Sequence, residues 1–169
     1  MTPDLFWIPG PWPGRLAITN RPRGGDWLED EIRGWRDAGV EVVVSLLEGD
    51  EERDLQLREE GRLAEAAGID FISFPIPDRG VPGSLHEAAS MLRRLTRALA
   101  EGKSVAVHCR QGIGRSALIA AGMLVASGMD ARGALDMISS ARGIKVPETA
   151  EQRRWVEQVL TDYLLVAPH

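Results

Sequence analysis

Residues 116–128, SALIAAGMLVASG, are apolar on nearly every side of the helix they would form. A helix with no polar face must lie inside the molecule, so the rest of the chain has to supply layers around it. Immediately before it comes SVAVHC, residues 104–109, whose β-branched run reads as a buried strand. Two further runs have the same character: VEVVVSLL at 40–47 and IDFISF at 69–74. Between them lie helical patterns: Asp26, with Glu29 three residues on, opens a helix to about Ala38, and acidic residues from Asp50 open one to about Ala67. Ser84 with Glu87 caps a helix whose Leu85, Ala88, Leu92, Leu95 and Leu99 share one face. Arg93, Arg94 and Arg97 lie mainly on the other side of that helix and read as its solvated face.

Asp130 caps a helix to about Arg142, and a last one runs from Thr149 to about Leu164 with Trp155, Val159 and Tyr163 on its inner side. The Pro- and Gly-rich first 26 residues leave room for two edge strands, at 5–8 and 15–19. Strands alternating with helices imply an α/β fold: one domain over residues 1–169, with a mostly parallel central sheet of about five strands and helices on both faces. In such sheets ligands bind beyond the carboxyl ends of the strands, where HCRQGIGRS and PIPDRG both fall.

Composition narrows the function. With 44% hydrophobic and 27% charged residues the chain reads as folded throughout. A net charge of −5 argues against nucleic acid as a partner, which needs clustered cations. No run approaches a membrane span, and the first residues carry no secretory pattern, so a cytoplasmic protein is expected. The single cysteine, Cys109, can form neither an internal disulfide nor a cysteine metal cluster, and His86, His108 and His169 show no ligand spacing.

The value of that thiol must be chemical. Gly112 and Gly114 let the loop after Cys109 turn successive N–H groups inward, forming an anion nest at the start of the buried helix. Arg115 ends the loop and can grip two phosphate oxygens with its planar fork. A thiol in that field is expected to shift towards thiolate and act as a nucleophile. Asp78, on a strand exit stiffened by Pro75 and Pro77, is the candidate proton donor to a leaving oxygen and then the base for water.

HCRQGIGRS resembles the H-C-x5-R-[ST] signature of the protein tyrosine phosphatase superfamily, and the chain is similar to its dual-specificity branch over about residues 40–152, including VVVSLLEGDEE, FPIPDRGVP and PETAEQ. The resemblance implies a cysteine-dependent phosphomonoesterase without metal or organic cofactor, acting on phosphorylated proteins or peptides. It implies that Cys109 becomes phosphorylated, that Arg115 clamps the phosphate and that Asp78 is the general acid. Arg110, Gln111, Gly112, Ile113, Gly114 and Arg115 would cradle the oxyanion, Ser116 would hydrogen-bond the sulfur, and His108 would buttress the loop.

Gln152 has two readings: the resemblance implies that it orients the hydrolytic water, whereas its spacing from Thr149 makes it a helix cap, and the cap is favoured. Arg79 and Arg110 are read as ordinary surface arginines rather than substrate selectors. Trp7 and Trp12 are expected in core or edge packing. A phosphate-reading module without turnover and another cysteine-loop enzyme, such as a sulfurtransferase or arsenate reductase, are the competing functions. Intact Cys109, Arg115, Ser116 and Asp78 count against the first, and the lone cysteine and the Arg-Ser pair against the second.

Overall fold

A computed structural model describes residues 4–166. Its five strands are β1 (Leu5–Ile8), β2 (Leu16–Thr19), β3 (Val42–Ser45), β4 (Asp70–Ser73) and β5 (Val105–His108). They form one sheet in the order β1-β2-β5-β3-β4. β2, β5, β3 and β4 run parallel, and β1 pairs antiparallel with β2. The architecture is the expected α/β one.

Residue parity sorts the two faces of this sheet, because side chains alternate along a strand. Val43 lies opposite Ala106 in the register, and both face the layer of α1 (Leu28–Asp37) and α3 (Glu60–Ala66). There Leu28, Ile32 and Trp35 complete a compact apolar cluster with Leu57 and Ala64. Val42, Val44, Val105 and Val107 point the other way, towards α4 (Leu85–Ala100), α5 (Arg115–Ala126) and α6 (Ala131–Arg142). Every residue of α5 from Arg115 to Leu124 is buried, so the helix without a polar face does sit between layers. Each fully buried Leu or Ile there contributes about 1.5–3 kcal/mol by leaving water, and these clusters dominate the stability.

Several local expectations change. The strand at 15–19 is not an edge: β2 lies between β1 and β5, because β1 hydrogen-bonds its far side. Asp26 does not cap a helix; it sits in a 3₁₀ turn, Gly25–Trp27, ahead of α1. The single helix from Asp50 to Ala67 is two, α2 (Gly49–Asp54) and α3, because Leu57 turns into the core and Gln56 takes a left-handed φ of 57°. The C-terminal helix starts as α7 (Ala150–Arg154), passes through a π-helical stretch, Trp155–Leu160, and ends as α8 (Thr161–Val166). The wider turn moves the inner face to Trp155, Val156 and Leu160 and leaves Val159 42% exposed.

The caps at Ser84, Asp130 and Thr149 form as expected, each side-chain oxygen accepting the N–H three residues on. Trp12 packs against the larger core and donates from Nε1 to Ser127 Oγ at 2.9 Å, while the Arg15 guanidinium lies 4.0 Å over the Trp7 ring. Among the described residues no helix is long and apolar enough to cross a membrane.

Parallel strands deliver their carboxyl ends to one edge of the sheet. From there β3 leads through Leu46 to α2, β4 leads to Pro75–Gly80, and β5 leads directly to Cys109. β4 is not next to β5, since β3 separates them. The segment after β4 nevertheless reaches the centre, because Ile76 N–H donates to Leu46 O at 3.1 Å and draws it across the end of β3.

Replacing Asp130 by Ala removes the 2.6 Å bond from Gly133 N–H and should cost about 1 kcal/mol. Urea unfolding should show that loss with an unchanged denaturant slope.

Candidate active site

Cys109 follows β5 without a spacer, so its sulfur is fixed by the centre of the sheet. It is 3% exposed, yet it lines a cavity of about 190 Å³ shared with Asp78, Arg79, Arg110, Arg115 and Glu148. Cavities of similar size elsewhere on the protein hold no thiol or loop of this kind.

Gly112 folds the loop back, with φ at +70°, a conformation that favours glycine, and its N–H donates to Cys109 Sγ at 3.2 Å. The N–H groups of Arg110, Gln111, Ile113 and Gly114 have no hydrogen-bond partner among the described residues. α5 starts at Arg115, so the positive end of its backbone dipole meets the same loop. Unpaired donors at such a terminus favour an anion.

Arg115 is 2% exposed, and its charge is met by a residue that no sequence pattern singles out. Glu51 accepts from Nη1 at 2.7 Å and from Nη2 at 2.9 Å, while Nη1 also donates to Ile76 O at 2.9 Å and Leu46 O at 3.3 Å. Asp78 Oδ1 lies 3.2 Å from Nη2. Of the five N–H groups on a guanidinium, Nε–H has no partner among the described residues. Glu51 thus occupies one edge of the fork and leaves the Nε/Nη2 edge to the cavity.

Burial opposes the Arg115 charge, but Glu51, the Cys109 sulfur and Asp78 outweigh it and hold its pKa above the usual guanidinium range. For Glu51 the same balance runs the other way. Burial would raise its pKa, yet the hydrogen bonds from Arg115 and from Glu48 N–H, with the nearby charges of Arg115 and Arg110, hold it below 4.5.

Two more side chains contact the loop: His108, whose Nδ1 lies 3.4 Å from Cys109 O, and Arg142. His108 Nε2 meets Glu60 Oε2 at 2.6 Å, both side chains being essentially excluded from solvent, and its ring stacks on Trp35 with centroids 5.8 Å apart. Arg142, at the end of α6, donates from Nε to Gly112 O at 2.8 Å and lies 4.1 Å over the Phe6 ring. Burial lowers its pKa, and the Cys109 sulfur opposes that. Glu51 and Glu60 were hidden in runs of acidic residues that fit a solvated helix face equally well. In the sequence Arg142 figures only as the end of the helix that Asp130 caps.

The structure brings Cys109, the loop, Arg115 and Asp78 together. Ser116 is close in sequence and fully buried, but its Oγ has no hydrogen-bond partner, so the expected bond to the sulfur is not made. Gln152 forms the capping box with Thr149. Arg79 and Arg110 are exposed at the rim, and both lie beside acids: Glu148 at 3.2 Å and Glu51 at 4.0 Å. Among the described residues, no group of His, Cys, Asp or Glu is arranged to hold a metal ion.

Glu51→Ala leaves Arg115 buried and short of its main counter-charge, which should cost about 3 kcal/mol near neutral pH. The Glu51 pKa is depressed on folding, so its contribution is complete above 4.5 and disappears as pH falls through the lower folded value. Urea unfolding of both proteins should show the difference at pH 7 and its shrinkage in acid.

Comparison with known proteins agrees with the fold. The kinase associated phosphatase KAP, in a form with its catalytic cysteine substituted by serine, superposes with a TM-score of 0.88 at 18% identity, covering 99% of each chain. Tk-PTP in its active form gives a TM-score of 0.77 at 29% identity, covering 96% of this chain and 99% of that one. Protein 197R of Invertebrate iridescent virus 6, named as a tyrosine phosphatase, is 29% identical over 147 residues, which is 83% of this chain and 48% of the viral one. The chain spans about half the length of the curated relatives it matches. Residues 18–129 match the Tc-R-P family model, described as polymorphic toxin system, DSP-PTPase phosphatase, and the chain belongs to that family.

Proposed function

We propose that the protein is a cysteine-dependent phosphomonoesterase acting on phosphotyrosine in proteins or peptides, with phosphoserine and phosphothreonine as further substrates. The observation that carries this reading is the cavity that joins the Cys109 sulfur, unpaired loop amides and the Nε/Nη2 edge of Arg115, which Glu51 leaves free and Asp78 approaches. Those donors match the oxygens of a tetrahedral dianion, and they stabilise charge that spreads over the equatorial oxygens during transfer. Among proteins that share the fold, TpbA of P. aeruginosa is known in complex with pTyr and PTPMT1 with PI(5)P.

The reaction then has two displacements. The Cys109 thiolate attacks phosphorus, the P–O ester bond breaks, and the departing oxygen takes a proton from the Asp78 carboxyl. Asp78, 3.2 Å from Arg115 Nη2, lines the same cavity as Cys109 and the loop, within reach of a departing oxygen. Water next attacks the phosphocysteine, its proton passes to the Asp78 carboxylate, and the P–S electron pair returns to sulfur. Ser116 Oγ is unpartnered at the start of α5, and rotation of its side chain would bring the hydroxyl to the sulfur as that bond breaks. No metal or organic cofactor takes part. A site built on a free thiol suits a reducing compartment, and we assign the protein to the cytoplasm on that ground.

Cys109→Ser should abolish p-nitrophenyl phosphate hydrolysis while vanadate or phosphate still binds; wild-type activity in that variant would end the thiol mechanism. Phosphopeptide and phosphoinositide panels assayed together define the substrate. Asp78→Asn should slow hydrolysis by about 10²-fold or more for poor leaving groups and much less for good ones, read from a series of aryl phosphates. A uniform loss would remove Asp78 as the acid.

A further inference from the structure

Gln152 sits where three parts of the site meet, and its side chain is fully buried. Its Oε1 accepts from the N–H groups of Glu148 and Thr149, both at 3.2 Å. Its Nε2 donates to Gly80 O at 3.0 Å. Gly80 closes the turn that presents Asp78: its N–H donates to Pro77 O at 2.8 Å, and Arg79 between them holds a left-handed φ of 62°. The carboxamide also abuts the phosphate loop, since a Cβ on Gly114 would lie 2.9 Å from both Nε2 and Oε1.

This bonding leaves little for a water molecule. An amide oxygen offers two lone pairs and an amide nitrogen two N–H groups. In Gln152 both lone pairs and one N–H are in use, so the side chain cannot accept a hydrogen bond from attacking water. A second link joins the same segments, the Arg79–Glu148 ion pair at 3.2 Å, but the arginine is 63% exposed. Exposed pairs hold geometry weakly. The buried carboxamide is therefore the tether that fixes the Asp78 turn to α7 and to the loop.

We infer that Gln152 is a positioning residue for Asp78, acting on protonation of the leaving group rather than on the water step. The inference rests on the proposed phosphatase mechanism and goes beyond it by giving Gln152 a step of its own. It separates the two duties within one side chain: Oε1 caps the helix, and Nε2 orients the acid.

Paired variants separate them in practice. Gln152→Glu keeps acceptors for the cap and loses the donor to Gly80; Thr149→Ala removes half of the cap and keeps that donor. Each is assayed for kcat and KM across aryl phosphates of graded leaving-group pKa, with rapid-quench measurement of the phosphoenzyme. Gln152→Glu should lose about tenfold in kcat/KM with phenyl phosphate and little with the best leaving groups, a share of what a general acid supplies, with no build-up of phosphoenzyme. Thr149→Ala should melt lower and keep the wild-type leaving-group dependence.

A uniform loss in Gln152→Glu, or accumulation of phosphoenzyme with unchanged kcat/KM for poor leaving groups, would overturn the inference. Should Gln152→Glu fail to fold, Gln152→Asn, one methylene too short to reach Gly80, carries the same expectation and the same refutation. Wild-type protein that hydrolyses none of these esters would instead defeat the phosphatase mechanism itself.

Discussion

The buried pair of Glu51 and Arg115 is the interaction on which the site depends. Arg115 opens α5, the helix with no polar face, so its guanidinium cannot escape to water without pulling that helix from the core. A buried cation without a counter-charge is unsustainable. Glu51 meets it with two hydrogen bonds, and the carbonyls of Leu46 and Ile76 complete the collar. The pair thereby ties the ends of β3 and the segment after β4 to the start of α5. It also decides which edge of the guanidinium remains open.

A second constraint follows from strand order. β5 lies between β2 and β3, which places Cys109 at the centre of the sheet, and α5 starts only a tight loop away. The short connection leaves no slack: Gly112 takes a left-handed turn, and Gly114 comes so close to Gln152 and Glu148 that an added Cβ would force their side chains to shift. Rigid backbone here serves recognition, because amides already facing the cavity need not reorganise when an oxyanion arrives.

Much of this was legible in the sequence where a residue type admits few uses. A lone cysteine between a β-branched run and two glycines, followed by Arg-Ser and an apolar helix, has few non-chemical explanations, and the βα alternation fixed the fold class. What could not be read was which members of a common class turn inward. In LEGDEERD several acids fit a helix surface, and the choice of Glu51 depends on α2 stopping at Asp54 so that Leu57 can be buried. Glu60 reaches His108 only because the chain breaks between α2 and α3. The phase of the last helix was misread for a similar reason: a π-helical turn is a tertiary accommodation, and a 3.6-residue periodicity cannot register it.

The grip of Arg142 on the Gly112 carbonyl has a consequence for the periphery of the molecule. That guanidinium rests on the ring of Phe6, which belongs to β1, an edge strand and, among the described residues, the only antiparallel one of the sheet. A cation–π contact of this kind is worth roughly 0.5–2 kcal/mol, comparable to the hydrogen bond it supports. The outer wall of the oxyanion bowl therefore leans on an edge strand, and fraying at that margin would be felt at the sulfur as a slackening of the turn above it.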